Sequence, residues 1–415
     1  MQSRSATSRR LLLAAGMSSL VFGCAPLPRE PAVPPDDETE VTVLGLKDIR
    51  YWGDEDSPEM IAMGKDAYDR ELAAWRAAGN DGPLPEADFL AVSGGGENGA
   101  FGAGLLCGWS ETGQRPEFKL VTGISTGALT APFAFLGPQY DAQLREVYTG
   151  LYPRDVLEER SILALLIGDA LSSNAPLRRT IQRFLTPTML NDIAVGYEQG
   201  RLLLIGTTNL DEGRPVIWNV TKIAASRHPK APTLIEQILI ASAAIPGAFP
   251  PEMIDVEAGG RSYQEMHVDG GASAQVFVYP PSIQFNVLAQ NHGISRDRRM
   301  YVIRNARLDP RWEEIKRRTL TILGRAVSSL IQTQGIGDLY RIYVAAVRDK
   351  IDFNLASIPE SFKVTLEKPF DPHYMRALFT VGYQLGRSGY RWAKVPPGYR
   401  ALGAGPVLTP VTPAS

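Results

Sequence analysis

The chain of 415 residues holds only two cysteines, Cys24 and Cys107, and four histidines, His228, His267, His292 and His373. Two cysteines exclude a disulfide-framed scaffold, and a modified Cys24 would leave Cys107 without any partner. Cys107 itself reads as a buried side chain rather than a reactive thiol. No metal-ligand spacing is found, so neither a metal nor a cofactor is expected. The apolar run from Leu11 to Gly23 has 13 residues, far short of the ~20 that a membrane-spanning helix needs. Neither sign of charge dominates, with 43 basic against 45 acidic side chains and a net charge of −2. That balance argues against nucleic acid as a partner and against unspecific adhesion to anionic lipid. No internal repeat is present.

What the chain has in quantity is glycine, and its placement carries the chemistry. Ser93-Gly94-Gly95-Gly96-Glu97-Asn98-Gly99 follows an apolar run of strand length, Asp88–Val92, and leads into a helical pattern from Ala100 to Leu106. Successive glycines leave backbone N–H groups uncovered, so such a turn can wrap an anion. A pyrophosphate and the oxyanion of an acyl-transfer intermediate both fit that description. Gly94, Gly96 and Gly99 satisfy G-x-G-x-x-G, but the dinucleotide reading needs an acidic residue at the end of the next strand. The next strand pattern, Phe118–Thr122, ends instead in Gly123-Ile124-Ser125-Thr126-Gly127. This is a G-x-S-x-G elbow, in which Gly123 and Gly127 make room for a sharp strand-to-helix turn around Ser125. The turn sets Ser125 at a helix N-terminus, where free N–H groups stabilise negative charge.

A third feature, Asp269-Gly270-Gly271, closes the apolar run Met266-His267-Val268. Alone it is an aspartate opening a glycine turn. Beside the other two it is a candidate base. The three blocks, in this order, resemble the signature of the patatin-like phospholipase family, and Ala241–Pro251 is similar to the apolar stretch that precedes the family's aspartate. The resemblance runs from Asp88 to Ala272. It implies a three-layer α/β/α fold with a central, mostly parallel sheet. It also implies a Ser–Asp dyad, with Ser125 as nucleophile, Asp269 as base and Gly94, Gly95 and Gly96 at the oxyanion hole. Asn98 stands where the family often has Lys or Arg. The implied activity is that of a serine lipid acyl hydrolase working through an acyl-enzyme, with a lipid or other acyl ester as substrate. A carboxylate of ordinary pKa ~3.9 is a poor base for a serine hydroxyl, so water exclusion must raise it or oxyanion donors must carry more of the barrier. A Ser–His–Asp esterase is the alternative, with His292 the candidate by chain order. His267, on the same strand face as Asp269, could modulate it. An envelope protein that binds lipid with a vestigial site is a further reading.

Arg9-Arg10 followed by the short apolar run reads as a signal peptide over residues 1–23. Val21-Phe22-Gly23-Cys24 resembles a bacterial lipobox, which implies lipid attachment at Cys24 and a location in the bacterial envelope, anchored on the periplasmic side, with simple secretion if the motif is not used. Loss of Arg4, Arg9 and Arg10 moves the net charge from −2 to −5. Residues 24–40, with five prolines and a cluster of acids, read as an extended tether. Residues 41–87 are expected to pack on the catalytic domain as an N-terminal extension with an edge strand at Val41–Leu44 and a helix from Pro58. Residues 88–310 form the expected catalytic core, and 311–415 a mostly helical C-terminal extension. Hydrophobic residues at 44% and charged ones at 21% are ordinary for one sizeable domain. Alternating β and α patterns place the site at the carboxyl ends of the strands.

Overall fold

The computed structural model describes residues 27–399, apart from 56, 157, 159–169, 171, 292, 311 and 313. Cys24, the signal-peptide run and His292 therefore lie outside the described residues. Nine strands form one sheet: β1 Arg50–Trp52, β2 Ala87–Val92, β3 Leu120–Ile124, β4 Leu202–Asn209, β5 Arg214–Asn219, β6 Glu252–Ala258, β7 Arg261–Asp269, β8 Arg298–Arg304 and β9 Asp352–Ser357. The order across the sheet is β1-β5-β4-β3-β2-β8-β9, with β7 on β4 and β6 on β7. The five strands from β4 to β9 run parallel, and the pairs involving β1, β5, β6 and β7 are antiparallel.

The parallel strands are buried along most of their length because both faces are covered. Along β2, Leu90 and Val92 enter one core cluster while Phe89 and Ala91 enter the other. The two outer layers include α1 Pro58–Ala77, α2 Gly99–Glu111, α3 Thr126–Leu136, α4 Ala231–Ala243, α5 Thr319–Arg348 and α6 Pro372–Arg387. Phe101 and Leu105 of α2, Ala128 of α3, Ile235 of α4 and Leu378 of α6 cover the first face. Met60 and Ala67 of α1, with Leu339 and Ile342 of α5, cover the second. The expected three-layer α/β/α architecture is thus the one observed. Local signals set the helix starts: Ser57 accepts from the Met60 amide ahead of Pro58, and Asp371 accepts from the His373 amide ahead of Pro372, each supplying an N-cap before a proline at the first helical position.

Three expectations about the flanks change. Val41–Leu44 is no strand: Thr42 and Val43 make only isolated bridges, to Glu257 and Leu46, and the edge strand of this region is β1. The described part of the tether, 27–40, is held against the β6–β7 hairpin. Arg29 pairs with Asp211 at 2.7 Å, the Pro31 carbonyl accepts from the Gln264 amide at 2.9 Å, and Val33 is buried. Pro34 is extended, and Pro35–Glu40 then winds into a short 3-10 helix. The C-terminal stretch, expected as a helical extension, supplies β9 to the central sheet and α6 to the outer layer.

Candidate active site

Strand β4 sets the site by its register. Ile124, the last residue of β3, pairs with Gly206, and Asp269, the last residue of β7, pairs with the next residue, Thr207. Thr207 pairs with Val216 of β5 on its other side, so β3 and β7 occupy the same flank of β4 and approach end to end. Ser125 leaves one strand where Asp269 leaves the other, which brings the serine hydroxyl close enough to hold the Asp269 carboxyl down against its burial. Both residues lie at the carboxyl ends of their strands, as the sequence leads one to expect.

The elbow is strained. Ser125 adopts φ 56° and ψ −127°, a region that costs a non-glycine residue on the order of 1–3 kcal/mol. The flanking glycines permit it. A Cβ on Gly127 would lie 2.1 Å from the Val92 carbonyl oxygen, and one on Gly123 would lie 2.5 Å from the Gly127 oxygen. The Ser125 amide donates to Ser242 Oγ at 3.0 Å, and that hydroxyl donates to the Gly206 carbonyl at 2.6 Å. Ser242, within the apolar stretch before Pro246, thereby clamps the turn to β4. A polar residue inside an apolar run is its one signal in the sequence.

The glycine loop curls over Ser125. A Cβ on Gly94 would come within 3.1 Å of Ser125 Cβ. The Gly94 amide is itself committed, donating to the Gln275 carbonyl at 3.0 Å, whereas no described backbone bond takes the amides of Gly95 or Gly96. Of the three glycines expected to donate, two are therefore open. The loop is braced from β8 by Asn305, which the sequence did not mark. Its amide donates to Ser93 Oγ at 2.8 Å, its side chain donates to the Ser93 carbonyl at 3.0 Å, and its Oδ1 accepts from the Gly102 amide at 3.0 Å. Gly95, at φ 155°, could carry no Cβ, which would fall 2.3 Å from the Asn305 carbonyl. Asn98 accepts a hydrogen bond of 2.6 Å from the Tyr374 hydroxyl of α6. At Gly99 the starts of α2 and α3 meet, a Cβ there lying 2.1 Å from Thr126 Oγ1. Two helix N-termini thus converge beside the serine, which favours negative charge there.

Asp269 is buried, with 4% of its surface exposed. Loss of water raises its carboxyl from 3.8 to about 6, against the opposing pull of hydrogen bonds from Ser125 and from the Gly271 amide, the latter at 2.7 Å. His267 shares its strand face but turns away. Its Nδ1 lies 3.0 Å from Thr207 Oγ1 and its Nε2 3.0 Å from Glu265, which Arg50 also pairs. Burial lowers the pKa of His267, and its contacts are those of a structural histidine. His228 accepts from the Lys230 amide and His373 donates its amide to Asp371. Among the described residues, no histidine is hydrogen-bonded to Ser125 or Asp269. Cys107 is buried, and burial pushes its thiol up to about 12.

An apolar cleft of about 80 Å³ opens beside the loop, touching Gly96 and Thr126 and walled by Leu129, Phe133, Ile181 and Met375.

Among solved structures, the chain is similar to VipD from Legionella pneumophila, with 12% identity, 74% of this chain and 66% of that one covered, and a TM-score of 0.36. For human GIVD cytosolic phospholipase A2 the values are 10%, 75%, 55% and 0.31, and for the type III effector protein ExoU 14%, 74%, 54% and 0.26. The chain thus spans 54% to 66% of the length of these proteins. No curated protein matches it. The family model described as patatin-like phospholipase matches residues 90–280, the span that carries the Gly94–Gly96 loop, Ser125 and Asp269. Residues 90–280 are therefore similar to the patatin-like phospholipase family.

Proposed function

We propose that the protein is a serine lipid acyl hydrolase in which Ser125 and Asp269 act as a dyad. The observation that carries this reading is the juxtaposition itself: a strained serine at a double helix N-terminus beside a buried carboxylate raised to about 6. At neutral pH such a carboxylate is ionised yet far more basic than an exposed one, which suits it to take a hydroxyl proton.

Ser125 Oγ attacks the ester carbonyl while its proton passes to Asp269. The carbonyl oxygen becomes an oxyanion, which the amides of Gly95 and Gly96 receive. An oxyanion donor of this kind is worth about 3–4 kcal/mol, so two offset much of the inefficiency of a carboxylate base. Collapse breaks the ester bond, and the leaving alcohol takes the proton from Asp269. Water then gives its proton to the same carboxylate and attacks the acyl-enzyme, releasing a fatty acid and restoring Ser125. The apolar cleft beside Gly96 and Thr126 suits the acyl chain. Attachment through an acylated Cys24, at the periplasmic side of a bacterial membrane, belongs to this proposal. Among the described residues no helix is long and apolar enough to cross a membrane.

A fluorophosphonate probe tests the nucleophile. Labelling is expected on Ser125 in the wild type and none in Ser125→Ala, while Asp269→Asn loses at least a hundredfold in ester hydrolysis. Full hydrolysis by a pure, folded Asp269→Asn protein overturns the dyad. A folded wild type that neither labels nor hydrolyses any ester, yet binds lipid, identifies a lipid-binding protein instead. Greater turnover of micellar than of monomeric esters separates a lipid hydrolase from a general esterase.

A further inference from the structure

Helix α5 runs antiparallel to the strands it covers. Its C-terminus leads to Asp352, which pairs with Arg299 near the start of β8, so the helix ends at the edge of the sheet away from the site. Its middle is level with the catalytic loops. Gln334 donates to the Ser273 carbonyl at 2.7 Å and accepts from Gln275 at 3.1 Å, and Gln332 donates to the Arg307 carbonyl at 2.8 Å. Residues 319–331 therefore project past the site-bearing end of the sheet, by about 20 Å at 1.5 Å per residue.

This projecting part is apolar where water would demand the reverse. Ile322, Leu323, Val327, Leu330 and Ile331 recur at helical spacing on one side and are 52%, 57%, 45%, 69% and 40% exposed. Trp312, just before the helix, is 85% exposed. Glu314 and the three cations Lys316, Arg317 and Arg318 stand between them, all exposed. A contiguous apolar stripe of this size on a protein surface marks an interaction site. An apolar helix face flanked by cations and a tryptophan has the composition of a segment that lies in a bilayer interface, its rings at headgroup depth and its cations on anionic lipid.

We propose that residues 312–331 dock the protein on a lipid bilayer containing anionic headgroups, and so bring the mouth of the site against the membrane. The local cluster of three cations is what selects this surface over a second copy of the chain, since the same cations would face each other across a symmetric contact. The inference extends the lipid hydrolase reading, but its test leaves turnover out.

Vesicles of phosphatidylcholine and phosphatidylglycerol at 3:1 are sedimented with full-length protein carrying Ser125→Ala. Cys24→Ser is present in every sample, so that acylation cannot supply binding. Saturable binding is expected, weakened at least tenfold in Leu323→Glu/Leu330→Glu, retained in Leu330→Met, and weakened several-fold on vesicles of phosphatidylcholine alone. Quenching of tryptophan by brominated lipid should fall in Trp312→Ala. Absence of vesicle binding overturns the proposal, as does equal binding by the double glutamate variant. So does a double variant that turns a dimer into a monomer with vesicle binding unchanged, which would give the stripe to a second copy. In an otherwise native background, the double glutamate variant should hydrolyse a monomeric ester within twofold of wild type. If neither protein hydrolyses any ester while vesicle binding behaves as expected, the hydrolase reading fails and the docking surface stands.

Discussion

At the residue scale, the proposed dyad makes Asp269 bind stability and chemistry to the same proton. Its carboxyl is raised to about 6, so the acid limb of the kcat/KM profile for ester hydrolysis should fall with a midpoint near pH 6, not near 4. The same shift sets a stability cost. Between about pH 4 and 6 the folded state holds a proton that the unfolded chain has released, so stability declines as pH rises through the folded pKa and stays lower above it. A shift from 3.8 to about 6 corresponds to about 3 kcal/mol. Asp269→Asn should recover up to that amount at pH 8 while losing activity, an outcome that urea titration of the two proteins at pH 4 and pH 8 can check. The gain should vanish at pH 4, where both forms are uncharged. Burial supplies the basicity, and burial makes it destabilising.

At the scale of elements, the pairing of α2 with α6 depends on bare backbone. A Cβ on Gly104 would lie 2.1 Å from the Phe379 carbonyl, and one on Gly108 the same distance from that of Tyr383. Gly104→Ala must therefore push the helices apart, at a cost of about 1–3 kcal/mol or more. Because α2 starts at Gly99 in the glycine loop, ester hydrolysis should fall with stability. Gly64→Ala is the contrast: in α1 its Cβ meets nothing within 4 Å, and relief of glycine's backbone entropy should stabilise by about 0.5–1 kcal/mol. Thermal melts of the two variants should move in opposite directions. The Tyr374 bond to Asn98 joins α6 to the same loop. Removing that hydroxyl in Tyr374→Phe should cost about 0.5–1.5 kcal/mol and slow turnover more than it weakens substrate binding.

At the scale of the whole molecule, the two ends of the described chain close on the catalytic region. Residues 29–33 lie on the β6–β7 hairpin that ends in Asp269, and β9 and α6 complete the sheet edge and the layer over α2. Truncation after Lys350 would bare the edge of β8 and the buried faces of Phe101 and Leu105. Such a chain should be insoluble or lack a cooperative melt, whereas a separable extension would leave a folded and active core. Soluble expression and near-ultraviolet circular dichroism distinguish the two.

The sequence by itself determined what depends on neighbours along the chain. Gly123 makes a sharp turn at Ser125 legible because the atoms it must clear, those of Gly127 and Ala128, lie within the turn itself. Caps and prolines at Ser57-Pro58 and Asp371-Pro372 mark helix starts for the same reason, and alternation of strand with helix gives the layered fold. What only the tertiary structure decided rests on contacts between distant segments. Register on β4 brings Asp269 to Ser125 across 144 residues of chain. Asn305, Ser242 and Gln275 brace the loop and elbow with hydrogen bonds between distant segments that leave no periodic trace. Strand β9 is six residues long and gains its identity from pairing with β8, not from its own composition. The basicity of Asp269 likewise arises from exclusion of water, a property of the packed molecule that no run of adjacent residues contains.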